Sequence, residues 1–97
     1  MHAVITTVAV RDGTIDELAR LFAETNPALV AAHDDWVGAW FTADRATHTV
    51  TVIAHWTDPA SYEALRSSPD FGATMGRFAD HFAGPPSISI HEILVAM

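Results

Sequence analysis

Two hydrogen-bond donors stand six residues apart on flat, otherwise apolar rings: the indole N–H of Trp56 and the phenolic O–H of Tyr62. Such rings suit a flat phenolic ligand, which they can hold by stacking and by one or two hydrogen bonds. Thr6 and Thr7 are consecutive, so on a strand they point to opposite faces and one of them can add a hydroxyl to the same pocket. Histidine is the other group able to take a proton near neutral pH. The chain has six, and none pairs at the H-x-H or H-x-x-x-H spacing of a metal site. His2, His33 and His48 read as solvated side chains, at the terminus, a helix end and a hairpin. His55 has strand parity opposite to Trp56, and His91 has parity opposite to Ile88 and Ile90. His81 falls in the last turn of a helix, where a cation suits the dipole. With no Cys there is no thiolate nucleophile, thiolate metal site or disulfide, and no metal site is expected.

The elements that must position these groups follow from periodicity and turn chemistry. Ala3 to Val10 is β-branched and stops at Arg11-Asp12-Gly13, which predicts a strand and a turn. Thr14, three residues before Glu17, has the spacing of a capping box and predicts a helix start. Ile15, Leu18, Phe22 and Leu29 then share a stripe, and Pro27 is expected to kink or interrupt the helix near Asn26. Trp36 to Phe41 predicts a second strand, Ala43 to Ala46 a hairpin turn and His48 to Trp56 a third strand. Asp58-Pro59 and Ser68-Pro69 are two N-cap and first-turn proline signals in succession, so the second helical region splits in two. Its second half carries Phe71, Met75, Phe78 and Phe82 at helical steps and ends by Gly84-Pro85-Pro86, and Ser87 to Val95 predicts the last strand. The order β-α-β-β-α-β is that of a ferredoxin-like α+β fold, one antiparallel sheet with helices on one face.

Ninety-seven residues make one domain, 1–97, with no linker or internal repeat. At that size a monomer buries only about 60–65% of the surface its unfolded chain exposes. Several strands are apolar on both faces, yet one monomer's helices cover only one of them. A second copy paired through the sheet is the simplest cover, so a homodimer is expected. Twelve acidic against five basic side chains, net −7, argue against nucleic acid and against anionic membranes. The start lacks a basic leader region, and no apolar run approaches the roughly 20 residues of a membrane span, which makes the cytoplasm the expected compartment.

Within this order the chain resembles the antibiotic biosynthesis monooxygenase family, whose members are dimeric α+β barrels. The resemblance runs over nearly the whole chain. It rests on the strand followed by Gly13 and an acidic helix start, on His55-Trp56-Thr57-Asp58, on Ala60-Ser61-Tyr62, on Ser67-Ser68-Pro69-Asp70-Phe71 and on Gly84-Pro85-Pro86. The family includes cofactor-independent oxygenases that turn polyketide phenols into quinones, and also haem-degrading enzymes. The quinone-forming branch implies Trp56 and Tyr62 as pocket residues. It also implies an Asn four residues before the Trp, where this chain has Val52, and an Arg in the later helix, for which Arg77 is no more than a candidate. The Asn, Trp and His of the haem-degrading branch fall on Thr6, Leu65 and Met75, so its ligand set is missing.

The resulting expectation is a cofactor-independent monooxygenase-like enzyme oxidising a planar aromatic or polyketide-derived phenol. Trp56 and Tyr62 are its catalytic candidates, and Thr6, Val50, Val52, Phe71, Met75 and Phe78 its substrate-binding candidates. No cofactor is required. The alternatives are a non-catalytic or regulatory dimer that binds a small apolar ligand, and a related cyclase or isomerase. Trp36 and Trp40 read as sharing one face of strand two, and Asp34-Asp35 as an acidic loop.

Overall fold

The computed structural model describes all residues from Met1 to Met97. Its order is β1 (His2–Ala9), α1 (Ile15–Val30), β2 (Trp36–Asp44), β3 (Thr49–Trp56), α2 (Pro59–Arg66), α3 (Pro69–Ala79) and β4 (Ser87–Glu92). The four strands form one antiparallel sheet in the order β2-β3-β1-β4, the ferredoxin-like arrangement. All three helices lie on one face. That face carries Val4, Thr6 and Val8 of β1 directly opposite Ala54, Val52 and Val50 of β3. No helix is long and apolar enough to cross a membrane.

Local chemistry sets most element boundaries. Asp58 caps α2 by accepting from the Ala60 N–H at 2.9 Å, and Ser68 caps α3 by accepting from the Phe71 N–H at 3.2 Å. The Asp44 carboxylate closes the hairpin by accepting from the N–H groups of Ala46 and Thr47, and the turn, 45–48, lies two residues later than expected. His48 then takes a left-handed backbone, φ 52°, before β3 begins.

Four other local features differ from the sequence expectation. The capping box at Thr14 does not form: its hydroxyl donates to the Arg11 carbonyl at 2.7 Å, inside the turn made possible by the positive φ of Gly13. Pro27 does not interrupt α1. The carbonyl it leaves unbonded belongs to Ala23, which is exposed, so water can satisfy it and the helix runs on to Val30. The third helix stops at Ala79, and Phe82 instead pairs with Val10 in an isolated bridge. His81 therefore lies beyond the last helical turn, its carbonyl accepting from the Arg11 N–H. Finally, β4 ends at Glu92 and not at Val95. The Ile93 N–H still reaches the Met1 carbonyl, next to the last paired residues, His2 and Glu92.

The core has two halves on the covered face. One joins Val8, Val10, Ile15, Leu18 and Val50; the other joins Val4, Val30, Trp56, Tyr62 and Leu65. A bulge in β2 between Trp36 and Gly38 changes the strand's parity. Trp36 thus faces the helices opposite Trp56. Trp40 lies on the outer face, 55% exposed, with its ring 4.7 Å from that of His55. The two tryptophans do not share a face, contrary to the simple alternation of the sequence.

Candidate active site

Between the helices and the sheet lies a partly open cavity of about 130 Å³. Its floor is the apolar face of the sheet, with Val50, Val52 and Ala54 on β3 and Thr6 on β1. Phe22, Leu29 and Val30 of α1 form one side of the roof. Tyr62 and Leu65 of α2 close the Trp56 end, and Phe71, Met75 and Phe78 of α3 close the other side. Sixteen of its twenty lining residues are hydrophobic, so the space favours an apolar occupant over water.

All eight sequence candidates, Thr6, Val50, Val52, Trp56, Tyr62, Phe71, Met75 and Phe78, line this one cavity. Period-two alternation brings the strand residues together and the four-residue helical step the others. Arg77 is absent from it, sitting on the exposed flank between α1 and α3 beside Glu17, Glu24 and Asp80. No arginine, lysine, histidine or carboxylate lines the cavity, and no cluster of His, Cys, Asp or Glu is placed to hold a metal.

Trp56 is 1% exposed, and its Nε1–H is buried without an acceptor. An unpaired buried donor costs about 1–3 kcal/mol. Tyr62 packs edge-on against it with ring centroids 6.0 Å apart. Burial pushes the Tyr62 phenol above its ordinary pKa, with Arg66 opposing and Glu63 reinforcing the shift, so the group stays a neutral donor.

Several residues near Trp56 were not legible in the sequence. The His33 ring stands edge-on to Trp56 at 6.0 Å and is half-buried, not a solvated helix end. His2 is the cross-strand partner of Trp56 and half-buried, with Nδ1 inaccessible and unbonded. Asp35 is no idle loop acid. Its carboxylate accepts from the hydroxyls of Thr57, at 2.8 Å, and Ser61, and its carbonyl accepts from the Thr57 N–H. Thr57 follows Trp56 and Ser61 precedes Tyr62, so one side chain ties down the backbone beside both donors. The hydroxyls of Ser61 and then Thr57 hold the Asp35 pKa below its ordinary value. Asn26, Thr74 and Trp36 also line the cavity. Of these Asn26 had a readable signal, because it falls four residues after Phe22 and three before Leu29 on the α1 stripe.

The model of the antibiotic biosynthesis monooxygenase family matches residues 1–77, most of the chain. The protein belongs to that family. A search of curated proteins finds no match to the sequence. Among solved structures, a Bordetella bronchiseptica putative antibiotic biosynthesis monooxygenase superposes with a TM-score of 0.82 at 18% identity, covering 97% of each chain. A mutant of SnoaB, a cofactor-independent oxygenase from Streptomyces nogalater, gives 0.80 at 18% identity over 99% of this chain and 95% of its own. A Nitrosomonas europaea protein of unknown function gives 0.77 at 23% identity, over 99% and 91%. At these identities the structures establish the fold, and the family membership supports a monooxygenase-like protein.

Proposed function

We propose that this family member is a cofactor-independent monooxygenase that oxidises a planar phenol to a quinone in the cavity, with Trp56 and Tyr62 as the groups that meet the ligand's oxygen. The observation that carries this reading is the pairing of the Trp56 and Tyr62 rings in the lining of a nearly all-apolar space, with the Trp56 Nε1–H buried beside it and unbonded. About 130 Å³ is close to the roughly 150 Å³ of an apolar cavity that takes up one benzene ring. One ring of a larger polyketide-derived phenol therefore fits inside, with the remainder at the open mouth.

The chemistry asks little of the protein. Loss of the phenol proton gives a phenolate that can pass electrons to molecular oxygen. One oxygen atom ends as the new carbonyl, and the other leaves as water with the hydroxyl proton and the hydrogen of the attacked carbon. The substrate supplies the electrons. The protein contributes a dry site, orientation by the Phe and Trp walls, and neutral donors that favour the phenolate. Thr6, Val50, Val52, Phe71, Met75 and Phe78 serve as substrate-binding walls. The homodimer belongs to this reading: Trp40 on the outer sheet face is exposed beside His55, and a second copy seated there would cover it.

The rival is a non-catalytic dimer that binds a small aromatic ligand. It is favoured by one observation: apart from Tyr62, no titratable side chain lines the cavity, so no general base stands ready. The deciding experiment is oxygen uptake by the purified, metal-free protein with phenols, anthrones and hydroquinones, together with product mass. Uptake with a product that has gained one oxygen and lost two hydrogens supports the oxygenase. Binding without uptake across the panel sinks it in favour of the rival.

A further inference from the structure

Asn26 is the polar residue set into the apolar stripe of α1. It follows Phe22 by four residues and precedes Leu29 and Val30 by three and four, and all four line the cavity. Its neighbour Thr25 also borders the space, but the Thr25 hydroxyl is committed to the Leu21 carbonyl at 2.7 Å. Nothing of that kind takes up the Asn26 carboxamide. The side chain is half-buried and its polar atoms are not among the inaccessible unbonded ones, so water can reach the carboxamide until a ligand oxygen takes that water's place. On the facing sheet Val50, Val52 and Ala54 are apolar and Thr6 is the one polar residue, and the Asn26 carboxamide has no hydrogen bond to it. Because Pro27 leaves the helix unbroken, α1 holds Asn26 over that floor, just before its last turn.

We propose that the Asn26 side-chain N–H donates to the ligand's oxygen from the roof of the cavity, making Asn26 a binding residue for the ionised form of a phenol. This rests on the phenol reading above. With no cationic side chain in the lining, an oxyanion in the cavity must be met by neutral donors, and the Trp56 N–H and Tyr62 O–H come from the floor and the α2 end. Asn26 adds a donor from another element, beside the hydroxyls of Thr6 and Thr74. An N–H bond to an ionised oxygen is about twice as strong as one to a neutral oxygen, so the amide favours phenolate over phenol and lowers the pKa of whatever phenol is bound.

The test uses para-nitrophenol, whose ionisation changes its colour, titrated while bound to the full-length wild type, Asn26→Leu and Asn26→Asp. Leucine continues the stripe of Phe22 and Leu29, so that variant keeps the fold, and a cooperative thermal melt verifies it. In Asn26→Leu the bound phenol's pKa should rise by about one unit, equivalent to roughly tenfold weaker binding of the phenolate, with binding of the neutral phenol little changed. Asn26→Asp should raise it further, because a carboxylate repels the phenolate. An unchanged pKa in Asn26→Leu with the phenol still bound overturns the role of Asn26 and leaves the reading of the cavity standing. Equal shifts in the two variants overturn it as well, since they would report a reshaped cavity and not a lost donor. A wild type that binds no para-nitrophenol at any pH overturns the phenol reading and this proposal with it.

Discussion

The covered face of the sheet changes character along a single strand. At Val8, β1 packs into the half built from Val10, Ile15, Leu18 and Val50, with Phe82 drawn in from beyond α3. Four residues earlier, at Val4, the same strand enters the half built from Val30, Trp56, Tyr62 and Leu65. All five residues of that second half border the cavity, whereas Val50 alone of the first half does. Empty space and an unpaired buried N–H are both destabilising, so the closed half has to hold the domain together while the open half stays receptive. On the proposed function a single small core is divided by task, and the division runs across the strands and not between them.

The strongest challenge to that comparison is truncation in the closed half. Leu18 is 1% exposed, and Leu18→Ala should cost about 2–5 kcal/mol by chemical denaturation while the protein that remains folded binds phenols as before. A loss under about 1 kcal/mol would mean that the closed half is not where the stability lies. Enlarging a residue sharpens the contrast. Val8→Leu should overpack the closed half and cost about 1–3 kcal/mol, whereas Ala54→Leu should fill the cavity, gain about 0.5–2 kcal/mol and abolish phenol binding. Denaturation midpoints that move the same way in both variants would erase the distinction.

Two pH effects read the open half more gently. Tyr62 is the lone tyrosine, so its ionisation can be followed directly in the ultraviolet, and its midpoint should lie above the ordinary value of 10.0. A folded value raised by burial means stability that is fully present below the unfolded pKa and lost as pH climbs through the folded one. Tyr62→Phe should remove that alkaline loss, and a midpoint at the ordinary value would place Tyr62 in water. The smallest effect belongs to Asp35. Its folded pKa is depressed, so its contribution is present above the ordinary carboxylate value of 3.8 and fades as pH falls below that through the folded value. Melting temperatures of Asp35→Asn should accordingly start lower at neutral pH and fall less steeply in acid than those of the wild type. Parallel acid limbs would show that the Thr57 and Ser61 bonds add nothing.

The readable parts of the site were those governed by short-range rules. Val50, Val52 and Trp56 fall on one face because β3 is regular, and Phe71, Met75 and Phe78 converge because α3 keeps its helical step. The caps at Asp58 and Ser68 bond residues two and three positions away, within reach of local pattern. Where reading failed, a longer-range partner decided the outcome. Trp36 and Trp40 separated because β2 bulges to stay in register with β3, and a bulge has no fixed signature in a run such as Trp36-Val37-Gly38. Asp35 looked like solvated loop because its partners, Thr57 and Ser61, stand 22 and 26 residues away. Asn26 drew no notice because it is a polar residue at the point where Pro27 was expected to kink or interrupt the helix.

By itself, then, the sequence determined the order of elements, the two faces of β3, the net acidic charge, and the set of flat and apolar residues able to enclose a ring. These follow from alternation, helical period, turn chemistry and charge, all of which act over a few residues or over the whole composition. Only the tertiary structure decided that the indole N–H of Trp56 would be buried without an acceptor, that Asp35 would secure the backbone beside both donors, and that α1 would carry Asn26 over the floor. Each of these depends on which segments distant along the chain come to lie together and on how much space they leave. No local preference encodes that, because it is set by the packing of all three helices on one sheet at once.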